Sequence, residues 1–357
     1  MAHCVHYGAC GGCAMDERAG IDKSAVLAAA LAKAGFVNAP VAPLIEVPLH
    51  TRRRVDLAAA RSDGGVALGL HRARAVQVVD MRECVLLDAR IMQLLPPLRV
   101  LLRGLDGLRA GAAVLINLLD TGADVLLRLD GAVSQADRRK LIAFAQANNV
   151  QRISVARGDE PAEPVAILAP PVLTLSGIAV QPPPGAFLQP SRDGEAAIVS
   201  AMLAGLPKLA AKARVVELYA GIGTLTFALA RHCRVEAYEG AEDAVAAHEV
   251  AIREHNLAGK IMLYHRDLTR RPLQVAELSG RAAIVLDPPY AGAARQLPAI
   301  AASGVGRVIY VSCNPNALAA DAIVLRRAGY AVLNATPIDQ FPYSENLESV
   351  VVFGKST

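Results

Sequence analysis

Arg214-Val215-Val216-Glu217-Leu218-Tyr219-Ala220-Gly221-Ile222-Gly223-Thr224 is the stretch on which the fold turns. Residues 214–218 read as a short buried strand, and residues 225–232 as a helix. The glycines at 221 and 223 let the turn between them tighten and let a ligand approach the backbone. The next strand, 235–238, ends in Glu239, an acidic residue where nucleoside cofactors commonly find a partner for their ribose hydroxyls. Toward the C-terminus the alternation continues. A helix over 244–255 precedes a strand over 261–264 that ends near Asp267. The strand over 283–286 ends in Asp287-Pro288-Pro289-Tyr290. The strand over 307–311 runs into Ser312-Cys313-Asn314-Pro315, where Pro315 ends it, and a helix follows over 318–327. Residues 331–335 and 349–353 read as two last strands without a helix between them. The pattern predicts an α/β fold: a parallel sheet with helices on both faces and an antiparallel hairpin at one edge.

Thr226 stands where a dinucleotide fingerprint would have its third glycine. Several carboxylates gather at one sheet edge, and such an acidic, partly apolar pocket suits S-adenosylmethionine better than a dinucleotide. Cys313 falls at the carboxyl end of a strand, where ligands and chemistry collect in such sheets, so its thiol is a candidate nucleophile.

Before this unit, Pro182-Pro183-Pro184-Gly185 reads as a linker. It divides the chain into 1–181 and 182–357. The first part reads as α+β. A helix over 21–34 is ended by Gly35, and a helix over 88–103 is interrupted by Pro96-Pro97. Hairpin strands cover 112–119 and 123–130, followed by a helix over 135–147, a strand over 152–156 and further strands within 165–180. Residues 55–61 and 66–70 flank Ser62-Asp63-Gly64-Gly65 and predict a β-ribbon. Its far end gathers Arg52, Arg53, Arg54, His71, Arg72 and Arg74. Up to Ala110 the chain holds 14 Lys+Arg against 10 Asp+Glu, and beyond it 23 of each, so the net charge of +4 comes from this first third. A basic ribbon suits a phosphate backbone, and Arg52, Arg54 and Arg72 are its candidate RNA contacts.

Cys4-Val5-His6-Tyr7-Gly8-Ala9-Cys10-Gly11-Gly12-Cys13 opens the chain. Three thiols in so short a run are metal ligands sooner than disulfides. Cys84 is the fourth thiol of this half. All-thiolate ligation suits an iron–sulfur cluster or zinc. With 53% hydrophobic and 20% charged residues the chain reads as globular. It shows no run long enough to span a membrane and no signal peptide, so a cytoplasmic location and a monomer are expected.

Taken together, Cys4…Cys10-Gly11-Gly12-Cys13…Cys84, Phe187-x-Gln189, Glu217-Leu218-Tyr219-x-Gly221-x-Gly223, Asp287-Pro288-Pro289, Ser312-Cys313-Asn314-Pro315 and Phe341-Pro342…Glu348 resemble the RNA uridine-C5 methyltransferases that carry an iron–sulfur cluster. The resemblance runs from end to end and is nearest to the compact 23S rRNA type without an N-terminal β-barrel. It implies a C-terminal Rossmann-like methyltransferase domain behind an RNA-binding, iron–sulfur α+β region. It implies Cys313 as nucleophile and Glu348 as base. Gln189, Tyr219, Glu239 and Asp287 would hold S-adenosylmethionine, and Gly221, Gly223, Thr224 and Asp267 belong to the same pocket. Cys4, Cys10, Cys13 and Cys84 would bind a [4Fe–4S] cluster. The family pattern has Asn where Ser191 and Thr224 stand, Arg where Tyr290 stands, and His before the final Val-Glu, where Asn346-Leu347-Glu348 stands here.

The chemistry asks for these residue types. C5 of uracil is a poor nucleophile until a thiolate adds at C6. A base must then take the C5 proton so that the thiol can leave, and the uracil must be swung out of folded RNA to be reached. Three other readings compete: a tRNA uridine-C5 methyltransferase, an exocyclic-amine methyltransferase using Asp287-Pro288-Pro289-Tyr290, and an inactive iron–sulfur RNA-binding protein.

Overall fold

The computed structural model describes residues 4–17, 20–62 and 64–355; Asp63 of the ribbon turn lies outside them. The chain begins with helix α1 (Lys23–Lys33) and the two-residue strand β1 (Ile45–Glu46). The ribbon β2 (Arg54–Ser62) and β3 (Gly65–Gly69) precedes helix α2 (Ala89–Gly104). Next come β4 (Gly111–Leu118), β5 (Ala123–Leu129), α3 (Gln135–Ala147), β6 (Val150–Arg157) and β7 (Glu163–Ile167). A small hairpin, β8 (Leu173–Leu175) and β9 (Ile178–Val180), closes this part.

The second part runs α4 (Arg192–Ala204), β10 (Arg214–Leu218), α5 (Thr224–Ala230), β11 (Arg234–Glu239) and α6 (Glu242–Glu254). It continues with β12 (Ile261–His265), α7 (Val275–Leu278), β13 (Ala283–Leu286), α8 (Leu297–Ala302) and β14 (Arg307–Ser312). It ends with α9 (Pro315–Arg327), β15 (Tyr330–Asp339) and β16 (Glu348–Lys355).

Two sheets organise these elements. The first has the order β3-β2-β4-β5-β6-β7 and packs on α2 and α3 through a core of its own that includes Leu57, Leu95, Leu98, Val114, Leu127 and Leu141. The second has the order β1-β15-β16-β14-β13-β10-β11-β12. Strands β10 to β14 pair in parallel, whereas β16 is antiparallel to both β14 and β15. The expected terminal hairpin is therefore present. β10 lies between β11 and β13, so the strand order reverses at its carboxyl end, the place where open α/β sheets bind ligands. The fold is Rossmann-like.

Packing does not follow the division at 181/182 throughout. Leu27, Leu31 and Ala34 of the first helical segment enter the core formed by α9 and one face of the second sheet. β1 extends that sheet in parallel beside β15. Leu173, Leu175 and Val180 of the small hairpin enter the core on the opposite face. The 1–181 region thus lends its residues 23–46 and 173–180 to the other sheet, which apolar burial requires and no local signal announces.

Two helices depart from the sequence reading. α2 continues through Pro96 and Pro97, because Ile91, Leu94, Leu95, Leu98, Leu101 and Leu102 are buried along it. Their burial outweighs the cost of about 3 kcal/mol for an internal proline. α9 begins at Pro315 instead of 318. Asn314 accepts from the N–H groups of Asn316 at 3.0 Å and Ala317 at 3.4 Å, and proline is well suited to the first helical position.

Candidate active site

Register brings the two expected catalytic residues together. Ser312 of β14 pairs with Ser349 of β16. Continuing that antiparallel register by one residue sets Cys313 opposite Glu348. Asp287 follows the end of β13, the neighbouring strand. Burial pushes the Cys313 thiol up to about 11, and the carboxylates of Glu348 and Asp287 push in the same direction. Burial also pushes Asp287 up to about 7. Glu348 is raised well above the usual carboxylate range by burial and by the charge of Asp287. Groups crowded and buried in this way bind their protons more tightly than they would in water.

A chain of side-chain amides links the carboxyls. Gln189 Nε2 donates to Asp287 Oδ2 at 3.2 Å. Gln340 Nε2 donates to Gln189 Oε1 at 3.0 Å and to Glu348 Oε2 at 3.1 Å. Glu348 Oε1 is buried and has no hydrogen-bond partner, leaving one carboxylate oxygen for a substrate. A Cβ at Gly194 would collide with Gln340 Oε1, so this glycine makes room for the amide. Ser191, where the family pattern has Asn, caps α4 by accepting from Gly194 N at 3.0 Å.

The glycine turn lies at the switch point. Tyr219 and Gly221 sit at φ of +65° and +55°, and Gly223 at +103°. A non-glycine residue held at positive φ costs on the order of 1–3 kcal/mol, a strain that collects at ligand sites. Burial and the charges of Asp321 and Asp267 push Tyr219 up to about 12. Thr224 is the first residue of α5. Under the turn, His248 is wholly buried with Nδ1 3.3 Å from the Gly221 carbonyl, and burial lowers it to about 4. Neutral imidazole is therefore a packing element there.

Glu239 accepts from Gly221 N at 2.7 Å and from Gly240 N and Ala241 N, both at 2.8 Å. A carboxylate has about four acceptor positions, so capacity remains for one hydroxyl. Asp267 accepts from Thr269 N at 2.9 Å and Arg270 N at 3.1 Å. These two carboxylates fit the adenosine of S-adenosylmethionine.

A second constellation lies at the ribbon end. A cavity of about 700 Å³ is lined by Cys4, Cys10, Cys13 and Cys84, by Arg52, Arg54 and Arg72, and by the loop from Phe341 to Asn346. Burial pushes Cys13 up to about 12, with further pushes from Cys84, Cys10 and Cys4, so the four thiols share one neighbourhood. Among the described residues no three His, Cys, Asp or Glu side chains form a group able to hold a metal ion. The glycines between Cys10 and Cys13 have a packing reason. A Cβ at Gly11 would lie 2.8 Å from the His71 carbonyl, and one at Gly12 2.7 Å from Leu70 Cδ1.

The basic residues divide. Arg53 is buried and holds Glu195 at 2.6 Å and the Gln189 carbonyl at 3.1 Å, so it fixes the active-site glutamine segment instead of facing solvent. Arg52 is half-buried near Cys84 and Cys13. Arg54 lies over the exposed ring of Phe187, 5.2 Å from its centroid. Arg72 is exposed.

Sequence reasoning missed Gln340, Arg53, His248 and Lys23. Arg53 had a signal: Val55, Leu57 and Ala59 are buried at every second position, and that period places Arg53 on the same face. Gln340 adjoins the Phe341-Pro342 run. Lys23 carries no local signal at all.

Fold and site together define a Rossmann-like methyltransferase with a thiol facing a carboxyl. Residues 178–356 match the tRNA (Uracil-5-)-methyltransferase family model. An RNA methyltransferase of Brucella suis biovar 1 is 34% identical over 99% of this chain and 84% of its own. A 23S rRNA (uracil(1939)-C(5))-methyltransferase of Aeromonas salmonicida is 31% identical over 98% of this chain and 81% of its own. The Pyrococcus abyssi tRNA (uracil-54, C5)-methyltransferase, solved with S-adenosyl-L-homocysteine, shares the fold with a TM-score of 0.71 at 18% identity, over 93% of this chain and 81% of its own. The chain belongs to the uracil-5-methyltransferase family: it is an S-adenosylmethionine-dependent RNA (uracil-5-)-methyltransferase. That membership removes the exocyclic-amine reading of Asp287 and Tyr290.

Proposed function

We propose that this enzyme methylates C5 of one uridine in 23S rRNA, with Cys313 as nucleophile and Glu348 as base. What supports the residue assignment is the β14–β16 register, which ends at the Ser312–Ser349 pair and, continued by one residue, lays Cys313 against Glu348. The rRNA assignment is favoured by the Aeromonas relative, which matches nearly the whole chain. When bound, S-adenosylmethionine supplies an electrophilic methyl on a sulfonium. Glu239 and Asp267 hold the nucleoside hydroxyls, while Gln189 and Asp287 border the reacting end. Ionised Cys313 Sγ adds to C6 of the flipped uracil, C5 takes the methyl as the neutral thioether departs, and ionised Glu348 then takes the C5 proton as the S–C6 bond breaks and the thiolate leaves. Burial chiefly holds the Cys313 thiol up, with smaller pushes from Glu348 and Asp287, so a cation bound beside these carboxylates eases its ionisation.

Cys4, Cys10, Cys13 and Cys84 hold a [4Fe–4S] cluster in this reading. Four thiols line one cavity, and all-thiolate ligation suits an iron–sulfur cluster. The half-buried cation of Arg52 offsets the negative charge of such a centre. The cluster supplies a tie between the first residues and the ribbon, since the methyl transfer itself needs no electrons. Arg54 and Arg72 remain for RNA. Among the described residues no helix is long and apolar enough to cross a membrane, and we place the enzyme in the cytoplasm as a monomer.

Mapping 5-methyluridine in rRNA and tRNA from cells lacking the gene tests the assignment. Loss at one 23S position is expected, and loss confined to tRNA would overturn it. Anaerobically purified protein should carry about four irons per chain; one tightly held zinc would sink the cluster.

A further inference from the structure

The geometry points to Lys23 as the positioning residue of the Glu348 carboxylate, an inference that rests on Glu348 being the base. Lys23 opens α1, more than three hundred residues before the loop that it reaches. It is 2% exposed, as is its partner Asp339, the last residue of β15. Its ammonium also donates to the Phe341 carbonyl at 2.8 Å and to the Asn346 carbonyl at 2.9 Å. All three donor positions of an ammonium are thereby used.

Those contacts are placed for one purpose. The loop between β15 and β16 begins at Gln340, whose amide holds Glu348 Oε2, and ends at Leu347, directly before Glu348. Lys23 grips the loop one residue after the first of these and two residues before the base. It thereby fixes both routes by which the carboxylate is oriented: the amide that holds it and the backbone that carries it. The same N-terminal segment adds a second clamp, since Ala14 N and Met15 N both donate to the Tyr343 carbonyl, at 2.8 and 3.2 Å. Tyr343 sits at φ +61°, a conformation that the loop would not hold unaided.

Stability alone does not call for a lysine here. A buried ion pair is commonly no better than apolar residues of the same volume, because both charges are desolvated. What two carbonyls and a carboxylate around one ammonium provide is a single loop geometry. Misplacing a reacting group by about 1 Å costs on the order of 10²-fold in rate.

The test uses full-length holoenzyme, labelled S-adenosylmethionine and total RNA from cells lacking the gene. Wild type, Lys23→Met, Lys23→Met/Asp339→Asn and Glu348→Gln are followed through a single turnover on denaturing gels. Lys23→Met leaves the buried Asp339 carboxylate without its lysine, and the double variant removes that charge as well. Both lysine variants should form the methylated protein–RNA adduct at near wild-type rate and resolve it about 10²-fold more slowly, with KM for RNA unchanged. Resolution at the wild-type rate, or an equal slowing of formation and resolution with a raised KM, would overturn the role of Lys23. If Glu348→Gln accumulates adduct and the lysine variants do not, only this inference falls. If Glu348→Gln accumulates none, the base assignment falls and takes the inference with it.

Discussion

The two rims of the molecule differ in what lines them: buried carboxyls at one, thiols and arginines at the other. At the carboxyl edge of the second sheet, Asp287, Glu217 and Glu348 are crowded and all lie above the ordinary carboxylate range. Burial is the first cause for all three, with the charge of Asp287 adding to the other two. At the far end of the ribbon, four thiols share a cavity with Arg52, Arg54 and Arg72. Asp56, Glu83 and Glu345 line the same cavity, so charges of both signs face it. The loop from Phe341 to Asn346 borders the cavity and leads into Glu348, so the two rims meet at Glu348.

Cys313→Ala breaks the acidic rim's chemistry most severely. Methyl transfer to RNA should fall by about 10⁴-fold or more, the scale of losing a nucleophile, while cofactor binding by calorimetry stays near wild type. Activity within about tenfold of wild type would mean that the thiol is a bystander.

Gln340→Leu sharpens the comparison. It removes the amide donor on Glu348 Oε2 and cuts the link to Gln189. Losing a donor to the charged form raises a carboxyl further. The limiting ionisation in the pH–rate profile should move to higher pH, with kcat near neutrality lower by on the order of 10²-fold. An unmoved profile would show that the amide is packing only.

Glu217 is a test of the acidic rim by stability. It is 1% exposed and raised from 4.5 to about 8, chiefly by burial. A carboxyl raised in the folded state binds more protons folded than unfolded. Its stabilising contribution is fully present below pH 4.5 and is lost as pH rises through about 8. A tenfold change in proton affinity corresponds to about 1.4 kcal/mol, so Glu217→Gln should flatten the pH dependence of unfolding by a few kcal/mol between pH 4.5 and about 8. Equal slopes in urea titrations of the two proteins would contradict that. The ribbon rim yields the smallest effect: Arg72→Ala should lower the salt slope of RNA binding by about one, read by filter binding at several salt concentrations.

What could be read from the sequence followed from locality. The strands of the second sheet, its glycine turn and the residues ending its strands are set by neighbours within a few positions, so Glu239, Asp287 and Cys313 were visible. Glu348 had no local mark and came through resemblance; its place opposite Cys313 is a matter of register between strands. Lys23, Gln340 and the extension of the sheet by β1 depend on contacts across the whole chain. The prolines of α2 misled because burial of a leucine stripe overrides local propensity. The arginine triplet misled because charge was counted without the strand period that buries Arg53.

The most direct measurement is made on Glu348→Gln. Incubated with RNA from cells lacking the gene and with S-adenosylmethionine labelled in its methyl group, this variant should yield a protein–RNA species that survives denaturing electrophoresis and carries the label. Loss of a general base slows the final step by about 10²–10⁴-fold, enough for the species to accumulate, and the further substitution Cys313→Ala should abolish it. Free methylated RNA released by Glu348→Gln at the wild-type rate, with no trapped species, would contradict the account.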